Sequence, residues 1–246
     1  MNRFLKVLLI LMMAVTGCNK SDEPSQNGDN VVENDSVVDH GGILDGHAYV
    51  DLGLSSGTLW ATCNLGADSP EDFGDFYAWG DTVPKEIYDW KSYRYGNYIP
   101  ERYRFEVNKY CTIPFFGVDG FVDNKTVLES IDDAATYNWG ADWRTPTHEE
   151  WEELTLETTC EWDTLNGVKG RTFTGVNGNS VFFPAAGFYL DEEHVGFELG
   201  IYWSSSLYTG SPERAWSLHF DFDNYHVCGT YERSRGQAVR AVRCPQ

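Results

Sequence analysis

The stretch SIDDAATYNWGADWRTPTHEEWEEL, residues 130–154, predicts two short helices joined by a connection that contains glycine and proline. The second helix has the clearer signals. Thr147 suits the N-cap position, and Glu150 three residues later completes the pattern of a capping box. The inner face of this helix is predicted from helical spacing: Trp151, Leu154 and Thr158.

The first helix is predicted from a shorter repeat in the same stretch. Its inner face consists of four residues at helical spacing: Ile131, Ala134, Ala135 and Trp139. Asp132 and Asp133 then lie in the first turn, where the helix dipole favours negative charge. Gly140 is expected to end the helix.

Strand patterns flank these helices on both sides. Before them, HAYVDLGL (47–54), GTLWATCNLG (57–66) and FGDFYAWG (73–80) have strand-like composition. Residues 81–128 are rich in aromatic residues but have no clear period, which indicates long loops with short strands. Two helices among many short strands predict an α+β fold rather than a βαβ repeat.

The segment AWSLHFDF, residues 215–222, alternates with a period of two. The pattern predicts a core face of Trp216, Leu218, Phe220 and Phe222. It predicts a solvent face of Ser217, His219 and Asp221. Asp223 and Asn224 suit a hairpin turn, and QAVRAVRC (237–244) is predicted to be the last strand.

The N-terminus has the signals of an exported, lipid-anchored protein. Arg3 and Lys6 precede a short apolar run, and residues 15–18, VTGC, resemble the lipobox of bacterial lipoproteins. The sequence therefore predicts a signal peptide at residues 1–17 and lipidation at Cys18, followed by a polar, acidic tether through residue 42. We expect attachment to the outer membrane, at the cell surface or on the periplasmic face.

Composition excludes one class of partner. The 246 residues include 38 acidic and 18 basic side chains, which gives a formal net charge of -20. Such an excess repels phosphate backbones, so nucleic acid is not an expected partner.

Several longer segments carry a family resemblance: residues 49–82, 123–154, 178–188, 202–206 (YWSSS), 215–220 (AWSLHF) and 239–243 (VRAVR). Together they resemble the Fibrobacter succinogenes major paralogous domain family, which is common in Bacteroidota lipoproteins. The resemblance implies that residues 43–246 form a C-type-lectin-like domain, with two helices packed on small twisted antiparallel sheets. It implies structural roles for Trp143, Arg144, Pro146, Thr147, Glu150, Tyr202, Trp203, Trp216 and Arg240. The family has no settled activity to carry over.

Two segments resemble catalytic motifs, but each lacks a feature that the motif requires. Residues 53–57, GLSSG, fit G-x-S-x-G, but a strand rather than a helix is predicted after the serine. His148 is followed one turn later by Glu152, where a zinc-protease helix needs a second histidine. We therefore expect no enzyme activity. An enzyme on a scaffold similar to the formylglycine-generating enzymes stays an alternative, as does a structural envelope component.

The aromatic excess of the 81–128 region supplies the ligand-binding candidates: Trp90, Tyr93, Tyr95, Tyr98 and Tyr103. Flat aromatic faces with polar tips suit sugar rings or an extracellular protein. The alternative is that these side chains cover a second small core. In the same way, the serines of residues 202–206 are predicted to bond nearby backbone as part of the scaffold rather than to form a site.

Calcium and disulfides stay open at this stage. No cofactor is expected, although Asp221, Asp223 and Asn224 could form a weak calcium site. Five cysteines remain after Cys18, so at most two disulfides can form: Cys63, Cys111, Cys160, Cys228 and Cys244. Small buried free thiols are an equal alternative.

Overall fold

The computed structural model describes residues 41–244, without the side chains of residues 226–228. The predicted signal peptide, Cys18 and the tether up to residue 40 lie outside the described residues. Within residues 41–244, no helix is long and apolar enough to cross a bilayer.

The described chain consists mainly of short strands. The helices are α1 (Ala134–Trp139) and α2 (His148–Glu157). The strands before the helices are β1 (Gly41–Leu44), β2 (His47–Asp51), β3 (Leu59–Ala61), β4 (Phe76–Tyr77), β5 (Gly96–Ile99) and β6 (Arg104–Val107). The strands after them are β7 (Thr159–Leu165), β8 (Val168–Thr174), β9 (Ser180–Pro184), β10 (Phe188–Leu190), β11 (Glu193–Val195), β12 (Gly200–Leu207), β13 (Arg214–Phe220), β14 (Tyr225–Glu232), β15 (Gly236–Ala238) and β16 (Val242–Arg243).

The strands form four sheets. The largest has the order β11-β10-β15-β12-β13-β14, with β4 paired to β15. A second sheet has the order β1-β2-β3-β16, so it joins the first described strands to the last. The β7-β8-β9 and β5-β6 sheets are smaller. This mixed architecture confirms the predicted α+β class, in which strands in curled sheets outweigh two helices.

Helix α2 is formed by the signals that predicted it. The side chain of Thr147 accepts from the backbone N–H of Glu150, and the Glu150 carboxylate accepts from the N–H of Thr147. Trp151 and Leu154 are fully buried, and the indole N–H of Trp151 donates to the carbonyl of Trp203 on β12 at 3.3 Å. The capping box therefore fixes the start of α2. The inner face of the helix packs against β12 of the largest sheet.

Helix α1 starts later than predicted. Asp133 is the N-cap, and its carboxylate accepts from the N–H groups of Ala135 and Thr136. Ile131 lies in a preceding 3-10 turn and is 68% exposed, so its assignment to the inner face was wrong. The cause is local, because an aspartate that caps a helix takes a non-helical backbone and leaves the residues before it outside.

Strand β13 is covered on both faces, which the alternation did not predict. Ser217 is fully buried and donates to the side-chain oxygen of Gln237, whereas Phe222 lies beyond the strand end and is 65% exposed. β13 lies between β12 and β14, and its pairing with β14 shifts register between Ser217 and His219. A bulge of this kind interrupts the period-two alternation.

Two boundaries also differ from prediction. Gly41 and Gly42 pair with Val50 and Tyr49, so the folded part begins before residue 43. The segment 237–244 is not one strand but contributes to β15 and β16, which belong to different sheets. Arg240 lies in the step between them and is fully buried.

Candidate functional site

Several residues with predicted structural roles connect α2 and the segment before it to β12 of the largest sheet. Arg144 donates to both carboxylate oxygens of Glu150 at 2.5 Å. Pro146 accepts from the N–H of Ser205 at 2.7 Å. Ser206 accepts from the N–H of His148, and Ser204 accepts from the N–H of Ser206. The buried serines of β12 thus bond backbone, as predicted for a scaffold.

The predicted core aromatics are placed in the same region. Tyr202 and Trp203 are buried, and the Tyr202 hydroxyl donates to the carbonyl of Pro184 at 2.6 Å. Trp143 is also fully buried. Trp216 is only half-buried, and its ring stacks on His148 with centroids 4.1 Å apart. His148 is thus part of an aromatic contact.

Three of the five predicted ligand-binding aromatics are core residues, which corrects that assignment. Trp90, Tyr93 and Tyr95 are 6%, 4% and 8% exposed. They have no sequence period because they pack around buried polar groups rather than along a strand or helix. Tyr98 and Tyr103 are exposed, Tyr103 to 86% at the end of the β5–β6 hairpin.

A buried arginine organises this aromatic loop. The Arg233 guanidinium donates to the Tyr93 hydroxyl and to the backbone carbonyls of Lys109 and Pro212. It also lies 4.8 Å from the centroid of the Trp79 ring. The loop is therefore anchored from inside, and its buried aromatics belong to the main hydrophobic core rather than to a second small core.

A buried carboxylate anchors the loop from the side of α1. Asp132 accepts from Tyr95, from Lys109 and, at 2.6 Å, from Tyr110. Burial alone would raise the pKa of Asp132, but the hydrogen bonds from Lys109, Tyr110 and Tyr95 outweigh it and lower the pKa. Asp132 is therefore a charged group that holds two loop tyrosines.

The GLSSG segment is a structural loop. Ser55 donates through its side chain to Glu153 and Glu157, and its backbone N–H also bonds Glu157. Ser56 donates to Glu153 through both its N–H and its hydroxyl. The next regular element is the strand β3 rather than a helix. The serines therefore fix this loop on α2 and do not form a nucleophile elbow.

The calcium candidates form a hairpin turn. Asp221 accepts from the N–H groups of Asp223 and Asn224 at 2.8 and 2.7 Å. These hydrogen bonds lower the pKa of Asp221. The Asp221 carboxylate thus caps the turn. Among the side chains that the structure describes, no three His, Cys, Asp or Glu residues are grouped so that they could hold a metal ion.

The described cysteines are free thiols: Cys63, Cys111, Cys160 and Cys244. The side chain of Cys228 lies outside the described residues. Cys111 donates to the carbonyl of Ile113 at 3.2 Å, and burial raises the pKa of its thiol. Cys244 accepts from Arg144 at 3.4 Å. Of the two alternatives, free thiols fit these four cysteines.

A concave surface lies where the loop after β4 meets the β10–β11 hairpin. This hairpin turns through Asp191 and Glu192, and Asp191 takes a positive φ of 55° that a tight turn requires. The N–H of Tyr88 donates to the carbonyl of Asp191 at 2.8 Å, and the N–H of Asp191 donates back at 3.2 Å. Two grooves border this backbone contact, and we call them together the cleft.

The first groove has a volume of about 440 Å³ and an aromatic wall. Its aromatic side chains are the buried Phe76 and Tyr88 and the half-buried Tyr189. Tyr88 donates to the carbonyl of Phe76 at 2.5 Å, and burial raises its pKa to about 12. Charged groups at this groove are Asp75, Lys85 and Glu86. We call this the tyrosine groove.

The second groove has a volume of about 860 Å³ and an acidic rim. Ile87 and Leu190 give it apolar surface, whereas Asp89, Asp191, Glu192 and Glu193 supply carboxylates. Burial would raise the pKa of Asp89, but hydrogen bonds from Ser92 outweigh that effect and lower it. We call this the acidic groove. Both volumes lie in the range of small-molecule sites.

Sequence reasoning missed the cleft because its two walls are about 100 residues apart in the chain, at 74–92 and 189–193. One signal was present: the acidic turn residues 191–193 follow the aromatic pair Phe188 and Tyr189 after one leucine. Compared with known proteins, the chain matches no family model, no curated protein and no solved structure.

Proposed function

We propose that this chain is a lipid-anchored protein of the bacterial cell envelope whose C-type-lectin-like domain binds a glycan without catalysis. Membership of the Fibrobacter succinogenes major paralogous domain family is part of the proposal. It is supported by the sequence motifs of residues 49–82, 123–154 and 202–220 and by the α+β architecture. The single observation that carries the binding function is the cleft.

The cleft combines the two kinds of surface that a sugar requires. A sugar ring has apolar C–H faces, which can lie against Tyr189 in the tyrosine groove. Its hydroxyl groups donate hydrogen bonds, which the carboxylates Asp75 and Glu86 of the same groove can accept. Tyr189 lies 5.0 Å from Phe76 and 5.5 Å from Tyr88 between ring centroids, so its own ring is held in place.

A glycan array tests the site. We expect the full chain to bind a defined glycan class, and Tyr189→Ala to weaken that binding about 5-fold or more, since an aromatic contact contributes ~1 kcal/mol or more. Because Tyr189 also packs on Phe76, a second variant, Glu86→Ala, removes an exposed cleft carboxylate without touching the core.

The matched control is Tyr103→Asn on the β5–β6 hairpin, since Tyr103 is exposed and has a positive φ that asparagine tolerates. We expect it to bind as the wild type does. If Tyr103→Asn loses binding while both cleft variants keep it, the binding site lies on the β5–β6 hairpin rather than in the cleft. A folded chain that binds no glycan would favour a structural envelope role instead.

The anchor is tested separately through Cys18. In cells that process lipoproteins, we expect the wild-type chain to enter the detergent phase of a phase-separation assay and Cys18→Ser to stay in the aqueous phase. The reason is that buried acyl methylenes contribute about 0.8 kcal/mol each. Equal partitioning of the two chains would contradict lipidation at Cys18.

A further inference from the structure

We propose that strand β7 pairs through its open edge with an extended segment of a partner protein in which basic and apolar residues alternate. β7 is seven residues long and is an edge strand of the β7-β8-β9 sheet. An edge of this length presents backbone donors and acceptors that an added strand can use. None of the residues of β7 lines the cleft, so the inference does not depend on glycan binding.

The turn between β7 and β8 determines which backbone groups of β7 are free. Residues 166–167 both have positive φ and form a two-residue turn, which the pair Leu165 and Val168 closes. Hydrogen-bonded pairs then alternate along the hairpin, beginning with the closing pair. The N–H and C=O groups of Cys160 and Trp162 therefore point away from β8. In the described part of the chain, these groups have no backbone partner.

Aromatic side chains lie beside this edge on one face of the sheet. The Trp162 ring is 5.8 Å from the Phe222 ring, centroid to centroid, and Phe222 is 65% exposed. Arg171, which lies opposite Trp162 on β8, donates to the backbone carbonyls of Asp221 and Phe222 at 3.1 Å. Arg171 thus holds the turn that carries the exposed ring. An aromatic side chain on an ordered turn suits the apolar residues of a partner.

The opposite face of β7 is acidic. Glu161 and Asp163 are exposed, and neither forms an ion pair with a described residue. A groove of about 310 Å³ lies beside Asp163 on this face, and Leu165 and Phe182 give it an apolar wall. The aliphatic part of a lysine or arginine side chain can lie on such a wall while its charged end reaches the carboxylate.

The two carboxylates favour a foreign segment over a second copy of this chain. A two-fold antiparallel pairing centred on Trp162 would place Glu161 of each chain opposite Asp163 of the other. A pairing centred on either acidic residue would place that residue opposite its own copy. Like charges directly opposite each other destabilise a sheet, whereas opposite charges stabilise it. The segment that fits therefore has basic residues on this face and apolar residues on the aromatic face.

Titration calorimetry with two synthetic peptides tests the pairing on the full chain with Cys18→Ser. One peptide, of the same length as β7, alternates valine and lysine, and the other contains the same residues as a valine block followed by a lysine block. We expect the alternating peptide to bind about 10-fold more tightly at about 50 mM salt, because it alone places all its lysines on one face of a strand. Amide hydrogen exchange at Cys160 and Trp162 should slow about 10-fold or more when it is bound, since both N–H groups then have acceptors.

Charge reversal supplies the matched variants. Glu161→Lys combined with Asp163→Lys should weaken binding of the alternating valine–lysine peptide about 10-fold or more. The same variant should instead bind an alternating valine–glutamate peptide. The control combines Asp142→Lys with Glu149→Lys, which changes the net charge equally at exposed positions outside β7. We expect this control to keep the wild-type preference.

Three results would overturn the proposal. If both valine–lysine peptides bind equally, or if binding leaves hydrogen exchange at Cys160 and Trp162 unchanged, the peptide does not add a strand to β7. If the control variant loses as much affinity as the β7 variant, net charge rather than β7 determines binding. Dimerisation without peptide that protects the same two amides would assign the edge to a second copy of the chain.

Discussion

Replacing Arg240 with methionine should destabilise the chain by about 4 kcal/mol or prevent folding, since it leaves several buried hydrogen-bond acceptors without a donor. The Arg240 guanidinium is fully buried. It donates to the side-chain oxygen of Asn64 at 2.9 Å and to three backbone carbonyls, those of Ala61, Thr62 and Phe182, at 3.0–3.1 Å.

The acceptors of Arg240 explain why this effect is large. Replacing a buried ion pair as a whole by apolar residues can be neutral, because both charges are removed. Here the acceptors are mostly backbone carbonyls, which no substitution removes. Burial lowers the pKa of Arg240 to about 10, so the group is still charged at neutral pH. Its side chain is the cross-link between β3, β9 and the step from β15 to β16.

Urea unfolding of Arg240→Met, Arg240→Lys and Arg235→Met measures this effect. Arg235 is the control, because its guanidinium is half-buried and paired with Glu232 at 3.1 Å. We expect that control to lose less than about 1 kcal/mol. Lysine at 240 should lose nearly as much as methionine, since one ammonium cannot reach the acceptors on β3, on the loop that follows it and on β9. A Met variant as stable as the wild type would contradict the cross-link.

Replacing Asp132 with asparagine should destabilise the chain by about 3 kcal/mol at neutral pH, the cost of breaking a buried charged pair. The carboxylate accepts from Tyr95, Lys109 and Tyr110, and Arg94 lies 3.6 Å from it. Asparagine keeps the shape but cannot accept from all these donors. The tyrosines Tyr95 and Tyr110 would then lose the group that orders the loop.

The pH dependence of this variant provides the sharper test. The folded-state pKa of Asp132 is lowered, so its stabilising effect is present above the unfolded value near 4 and is lost as pH falls through the folded value. The wild-type chain should therefore have its full advantage over Asp132→Asn at about pH 6 and a smaller advantage at about pH 3. Urea unfolding at both pH values measures the difference.

Asp142→Asn is the control for the Asp132 test, because Asp142 is exposed. It should follow the wild-type pH curve. Parallel curves for wild type and Asp132→Asn would show that the charge of Asp132 does not stabilise the fold.

The features that were predicted best from the sequence depend on residues close together in the chain. The capping box of Thr147 and Glu150 was predicted correctly because both its partners lie within one turn. The start of α1 was missed because either of two adjacent aspartates could cap, and only the hydrogen bonds of Asp133 to Ala135, Thr136 and Thr145 decide it.

Features that depend on distant contacts could not be predicted from local patterns. Trp90, Tyr93 and Tyr95 were candidates for a binding surface, with a buried role as the alternative, and Arg233, about 140 residues away, holds Tyr93 inside. The cleft is of the same kind, because its walls are brought together by the backbone contact of Tyr88 with Asp191, about 100 residues apart in the chain. Local sequence patterns therefore predicted parts of the scaffold, whereas the cleft depends on tertiary contacts that such patterns do not contain.

The pairing of β16 with β3 also sets the moment at which folding can finish. Val242 pairs with Trp60 and forms a β-bridge with Arg144. The β1-β2-β3-β16 sheet and the segment that leads into α2 are therefore completed only when Val242 is in place. Contacts of such long sequence separation form slowly. A nascent chain therefore cannot complete this sheet until Val242 and Arg243 have been synthesised.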